Sequence, residues 1–261
     1  MLYWLLKTTM VSPIARLVWR CWTKGVENVP TEGPAILASN HLAVTDSVFL
    51  PAMVPRRLTF PAKKEYFTGR GFKGWVKKTF LAGVGQVPID RASGAAALTA
   101  LDALEQVLIK GELVGYYPEG SRSPDGRLYR GKTGVARLAL ATGAQVIPVV
   151  MVNTDKIQPL GRVFPRLRPR PGVIFGKPLD FSRYEGMAGD RFVERSMTDE
   201  IMYELMQLSG QEYVDVYAAR VRAELDRSRR AGPAASRAAA LSVSHQVDPE
   251  AGDRKPAEKA G

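Results

Sequence analysis

The chain holds two histidines, His41 and His245. His245 lies in a stretch dominated by Ala, Pro, Ser and charged residues, so His41 is the one imidazole in the core-building part of the sequence. Asp46 follows it within Asn40-His41-Leu42-Ala43-Val44-Thr45-Asp46. A carboxylate bound to one imidazole nitrogen fixes the tautomer and leaves the other nitrogen free to accept a proton. Free imidazole titrates near pH ~6.5, which suits a general base at neutral pH. On a common helix, at about 100° per residue, the two side chains would point roughly 140° apart. They meet only across a turn. The apolar run Pro34 to Ala38 before them reads as a buried strand and Val48 to Met53 after them as a short helix, so the turn runs from strand to helix. A second reading is open at this point: Asp46 or Thr45 is a helix N-cap and His41 a turn residue with its hydrogen bonds satisfied.

Two further blocks bear on that choice. Gly85-Gln86-Val87-Pro88-Ile89-Asp90-Arg91 is a brief β-like run ending in an arginine. Pro118-Glu119-Gly120-Ser121-Arg122-Ser123 joins a carboxylate, a glycine that admits close backbone approach, a hydroxyl and a second guanidinium. Guanidinium forks match phosphate oxygens two at a time. A base beside such a pocket suits activation of a hydroxyl on a small phosphorylated substrate. Taken singly, Arg91 and Arg122 would more often be surface ion-pair partners.

The elements that must position these residues read in order. Arg57 to Ala62 is a second strand. Residues 94–110 form a helix with Ala97, Leu101, Leu104 and Leu108 on one face, ended by Gly111. Leu113 to Tyr117 is a buried strand, Lys132 to Thr142 a helix and Gln145 to Val152 a strand. Residues 153–171 form a basic, proline-rich loop, Val173 to Phe175 is a last short strand, and two helices occupy 190–228. Alternating strands and helices predict an α/β domain with a central, mostly parallel or mixed sheet flanked by helices. Chemistry in such sheets sits outside strand ends, where His41, Arg91 and Glu119 to Arg122 all fall.

The 261 residues accommodate one such domain over 25–228, an N-terminal segment over 1–24 and a tail over 229–261 whose composition predicts disorder. The formal charge of +11 points to an anionic partner: a membrane surface, nucleic acid or a phosphorylated substrate. No nucleic-acid motif accompanies it. The single cysteine, Cys21, forbids an intrachain disulfide and fits a reducing compartment. One core histidine, one cysteine and no H-E-x-x-H supply no metal ligand set, and no cofactor is expected. In residues 1–23, Lys7, Pro13, Arg16 and Arg20 interrupt an apolar run that carries Tyr3, Trp4, Trp19 and Trp22. It is too broken to span a bilayer and lacks signal-peptide features. The pattern predicts an amphipathic helical segment on an anionic membrane surface, or else a helical hairpin packed on its own domain. Gly69 to Phe80, with Arg70, Lys73, Lys77 and Lys78 at helical spacing, adds a second basic face.

The order and spacing of the blocks resemble the glycerolipid acyltransferase family. Its pattern is N-H-x4-D, a G-x-x-x-I-x-R-like block, P-E-G-S/T-R-S, and a V-I-P-V-type strand. Here these are Asn40 to Asp46, Gly85 to Arg91, Pro118 to Ser123 and Val146-Ile147-Pro148-Val149. Asp125-Gly126 and Lys132-Thr133-Gly134 extend the likeness, which covers roughly residues 25–180 and is greatest to bacterial 1-acylglycerol-3-phosphate acyltransferases. It implies acyl transfer from acyl-CoA or acyl carrier protein to the sn-2 hydroxyl of the lysophospholipid acceptor 1-acylglycerol 3-phosphate, giving phosphatidic acid at the cytoplasmic face of a membrane. His41 would be the base and Asp46 its orienter. Arg91, Glu119, Gly120, Ser121 and Arg122 would hold the acceptor, with Lys63 a lesser contributor. Other acceptors within the family, such as glycerol 3-phosphate or a glycolipid, fit the same signature, and a non-catalytic lipid-binding protein fits the same fold. The sequence has no G-x-S-x-G elbow for an acyl-enzyme. Val87-Pro88 and Tyr117 depart from the common pattern and are expected to bear on acceptor or chain-length choice.

Overall fold

The computed structural model describes residues 2–63, 67–69, 71, 74, 79, 85–89 and 94–231. Arg70, Lys73, Lys77 and Lys78 of the sequence-predicted basic face, and the tail from 232 onward, lie outside them. Seven strands form one sheet in the order β1-β8-β7-β2-β5-β3-β4. They are β1 (Trp22–Lys24), β2 (Ala35–Ser39), β3 (Leu58–Lys63), β4 (Gln86–Ile89), β5 (Leu113–Tyr116), β7 (Gln145–Val152) and β8 (Gly172–Phe175). The pairs from β7 through β4 are all parallel. β8 runs antiparallel to β7, and β1 lies parallel to β8. A mixed sheet with a parallel centre is the expected fold class.

Helices cover both faces, so the central strands are buried on both sides and read as unbroken apolar runs. On β2, Ala35 and Leu37 enter a core with Phe49, Leu50, Phe60, Ile147 and Met151. Ile36 and Ala38 point the other way, toward Leu104, Leu108, Val135, Val146 and Ile201. The first core lies under the N-terminal helix and Asp46–Met53. The second lies under Gly94–Ile109, Gly134–Thr142 and Arg191–Ser209.

Two boundaries differ from the sequence reading. The N-terminal helix runs from Leu2 to Leu17 through a π-helical turn at Lys7–Val11, and then Trp22–Lys24 pairs with β8. Residues 22–24 therefore belong to the sheet, because their amides find partners on the β8 edge. The last helix runs Ala218–Ala231, three residues past the composition break at 228. A two-stranded sheet of β6 (Leu128–Tyr129) and β9 (Tyr213–Val214) was not expected from the sequence.

The N-terminal helix is fastened to the body at the C-terminal end of Asp46–Met53. Lys7 Nζ donates to Val54 O at 2.5 Å and Arg56 O at 2.8 Å, and Ser12 Oγ donates to Ala52 O at 2.8 Å. A cation there complements the helix dipole. Burial, with a lesser push from Arg16, lowers the Lys7 ammonium to about 8. Replacing Lys7 by Met leaves two carbonyls without their donor, and the expected loss is about 1–3 kcal/mol. Denaturant unfolding of Lys7→Met measures it; an unchanged midpoint would show that these contacts do not hold the helix.

Candidate active site

β2, β3, β4 and β5 are parallel, so their C-terminal ends share one edge of the sheet. β2 delivers Asn40 and His41 there, and β5 delivers Tyr117 and Glu119. Asn40, 1% exposed, extends the β2–β7 ladder with its side chain. Its Oδ1 accepts from Met151 N at 2.7 Å and its Nδ2 donates to Gln211 Oε1 at 2.7 Å. The chain can then leave the sheet without stranding the β7 backbone.

Asp46 is the first residue of its helix and is fully buried. Its Oδ2 accepts from His41 Nδ1 at 2.9 Å, Leu42 N at 2.7 Å and Ala43 N at 2.8 Å. The N-cap reading therefore fails. Thr45 occupies the cap position without a side-chain cap bond, and the Asp46 carboxylate faces back into the turn. Three donors on one oxygen stabilise the buried anion and fix the imidazole so that Nδ1 carries the proton. Nε2 has no partner among the described residues, and the His41 side chain is 16% exposed. Tyr117 stacks flat on the imidazole, ring centres 3.9 Å apart at 11°, and its hydroxyl lies 3.0 Å from Ser47 Oγ. Tyr117, which departs from the common pattern, thus packs against the imidazole.

Glu119 is where the structure departs most from expectation. It is 1% exposed and does not reach an open pocket. Oε1 accepts from His41 N at 3.0 Å and Oε2 from Tyr129 N at 3.0 Å. It staples β6 to the histidine turn, with both oxygens committed to backbone amides. Burial pushes its carboxyl up to about 8, against the pull of those two amides, with the charges of Asp46 and Asp125 adding to the rise.

The rest of the loop lies close by. Ser123 N donates to His41 O at 2.7 Å, which ties the two motifs together. Gly120 has φ +69°, and a Cβ there would meet Lys132 Cδ and Cε at 3.2 Å and Nζ at 3.3 Å. The glycine thus serves a left-handed turn and lets the Lys132 chain cross the loop. Ser121 Oγ is buried without a partner among the described residues. Arg122 is half-buried beside it. Lys63 ends β3 opposite Ile89 of β4, so its backbone is on the same edge. Arg91 lies outside the described residues. Lys132, Tyr117 and Gln158 were not singled out as site residues from sequence. Gln158, 6% exposed, accepts from Thr45 N at 3.0 Å and braces the turn from the β7 side. Lys132 carried a readable signal in its place in Lys132-Thr133-Gly134, and Tyr117 in its departure from the common pattern.

An imidazole with a free Nε2, a buried carboxylate on its Nδ1 and basic side chains around a glycine turn form an arrangement able to activate an alcohol beside a bound anion. A family model described as Acyltransferase matches residues 21–152. A chloroplastic 1-acyl-sn-glycerol-3-phosphate acyltransferase of Arabidopsis thaliana is 30% identical over 168 residues, 64% of this chain and 46% of that protein. The human 1-acyl-sn-glycerol-3-phosphate acyltransferase alpha is 28% identical over 135 residues, 51% of this chain and 45% of that one. This chain thus spans about half the length of the curated relatives it matches. The crystal structure of the 1-acyl-sn-glycerophosphate acyltransferase PlsC from Thermotoga maritima has the same fold. Its TM-score is 0.56 at 23% identity, covering 77% of this chain and 80% of that one.

The raised Glu119 carboxyl has a consequence for stability. Between its ordinary value of 4.5 and about 8 the native chain keeps a proton that the unfolded chain has released. Stability therefore falls as pH rises through that window. Glu119→Gln removes the titration, and its unfolding midpoint is expected to lose this slope between pH 5 and 8. An equal slope in the variant would assign it to other groups.

Proposed function

Given that this chain belongs to the acyltransferase family, we propose that it transfers an acyl group from acyl-CoA or acyl carrier protein to the sn-2 hydroxyl of 1-acylglycerol 3-phosphate, giving phosphatidic acid for phospholipid biosynthesis. The observation that carries the reading is the 2.9 Å contact between His41 Nδ1 and a buried Asp46 oxygen already held by two amides. It supports Nε2 as the proton acceptor. As the acceptor hydroxyl attacks the thioester carbonyl, Nε2 takes its proton, and Asp46 stabilises the imidazolium. The tetrahedral intermediate collapses, the thiolate leaves, and the imidazolium returns the proton to it. The products are the ester and a free thiol. No acyl-enzyme is needed.

In this reading Ser121, Arg122 and Lys132, with Arg91 and Lys63, hold the acceptor's phosphate and glycerol. Gly120 admits the Lys132 chain, and Glu119 positions His41 from behind. The enzyme works as a peripheral or monotopic protein at the cytoplasmic face of an anionic membrane. Exposed Trp4, Leu5, Met10 and Ile14 on the N-terminal helix support this, and no helix among the described residues is long and apolar enough to cross a bilayer.

The test is transfer by the purified chain in mixed micelles, offering acyl-CoA with lysophosphatidic acid or with glycerol 3-phosphate. Product is expected with lysophosphatidic acid. His41→Ala is expected to lower the rate by at least about 10², the lower range for general-base help. Wild-type turnover in His41→Ala would overturn the base assignment, and product with glycerol 3-phosphate alone would overturn the acceptor.

A further inference from the structure

Residues 158–171 leave the β7 end of the site edge and hold Arg162, Arg166, Arg168 and Arg170. No acidic residue occurs between Asp155 and Asp180, nor before Glu27 at the N-terminus. Val163, Phe164 and Leu167 in this loop are 76%, 79% and 61% exposed. The loop is nonetheless pinned in shape, with Arg166 N donating to Ile157 O at 2.8 Å and Gln158 Nε2 to Val163 O at 2.9 Å.

It also joins a second exposed apolar segment from the far end of the sequence. Trp19 Nε1 donates to Arg166 O at 2.9 Å, and Arg170 Nε donates to Arg20 O at 3.1 Å. Leu17 is 78% exposed and Val18 48%, flanked by Arg16 and Arg20. Among the described residues none of these six arginines forms an ion pair with a carboxylate.

We propose that the arginine-rich loop 158–171 and the end of the N-terminal helix form one docking surface for an anionic phospholipid bilayer, with Phe164 and Leu167 entering the headgroup region. Unpaired arginines interleaved with exposed apolar side chains match such an interface: the heads meet lipid phosphates while the stems and neighbouring apolar groups sit below them. An acidic protein partner would account for the charge and leave three exposed apolar side chains unexplained. The site follows the surface, because Gln158 holds the His41 turn through Thr45 N and the loop through Val163 O. Docking would therefore set the turn beside the lipid. The inference rests on the reading of a membrane-surface enzyme and adds a second contact to the N-terminal helix.

The test uses the full chain and phosphatidylglycerol-containing or pure phosphatidylcholine vesicles. At about 1 kcal/mol, or about fivefold in affinity, for each arginine, Arg162→Gln, Arg166→Gln and Arg168→Gln together are expected to weaken flotation with the anionic vesicles about a hundredfold. These changes leave the Arg166 carbonyl in place, and an unchanged thermal midpoint shows that the fold is retained. In a Cys21→Ala background, a polarity-sensitive dye on Phe164→Cys is expected to shift blue and be quenched by a lipid-borne quencher. The same dye on Phe192→Cys, 86% exposed on a helix packed over the opposite sheet face, is not. Wild-type flotation of the triple variant, or an unquenched dye at 164, overturns the loop surface. If deletion of residues 2–17 alone then abolishes flotation, the membrane reading stands without it. A full chain that binds neither vesicle overturns both. Loss of acyl carrier protein binding with vesicle binding intact reassigns the arginines to the donor.

Discussion

A single carboxylate oxygen, Oδ2 of Asp46, organises this structure. It is fully buried, and burying an isolated carboxylate costs far more than one hydrogen bond returns. Three N–H groups converge on it, two from the backbone and one from His41. The start of a helix adds its positive end. The two backbone bonds close the turn, so the geometry that makes the anion tolerable also carries the imidazole to it. Fold and chemistry use the same contact. The other oxygen, Oδ1, has no partner among the described residues, so the compensation falls on one side of the group.

The second carboxylate shows how environment separates two roles. Glu119 is as buried as Asp46 and receives two amide donors where Asp46 Oδ2 receives three donors. Burial outweighs that help and lifts it to about 8. It follows the end of β5, the strand paired beside β2, and its reach across the pair fixes the His41 backbone while Asp46 fixes the ring. Tyr117 closes the third side by stacking. The imidazole is thereby restrained at its backbone, its Nδ1 and its face, and only its Nε2 edge remains available.

Much of this was legible in the sequence, for reasons that can be stated. β2, β5 and β7 are buried on both faces, so their apolar runs need no alternation to be recognised. The His41 and Asp46 pair was readable because helical spacing excludes their meeting and a strand-to-helix turn allows it. The role of Glu119 was not. A carboxylate in a polar loop looks like a ligand until Tyr129 N, which follows it by ten residues, is seen to claim it. β6 and β9, two residues each, are too short to carry any period, and their pairing follows from contacts far apart in the chain. Gln158, and the stacking of Tyr117 on His41, escaped for the same reason: a glutamine before a proline and an aromatic at a strand end have no local mark of what they touch.

The eight-residue helix Asp46–Met53 links these parts mechanically. At 1.5 Å per residue it is about 12 Å long. One end carries the carboxylate that holds His41. The other end presents carbonyls to Ser12 and Lys7 of the N-terminal helix, so each terminus meets a charge of the favourable sign. Its side chains Phe49 and Leu50 are locked in the core beneath β2, which leaves little freedom to rotate. A displacement of the N-terminal helix would therefore be felt at Asp46 through one rigid element. The loop 158–171 reaches the same turn from the β7 side through Gln158. The two segments proposed to touch lipid thus converge on the seven residues that hold the imidazole, from opposite ends of a helix two turns long.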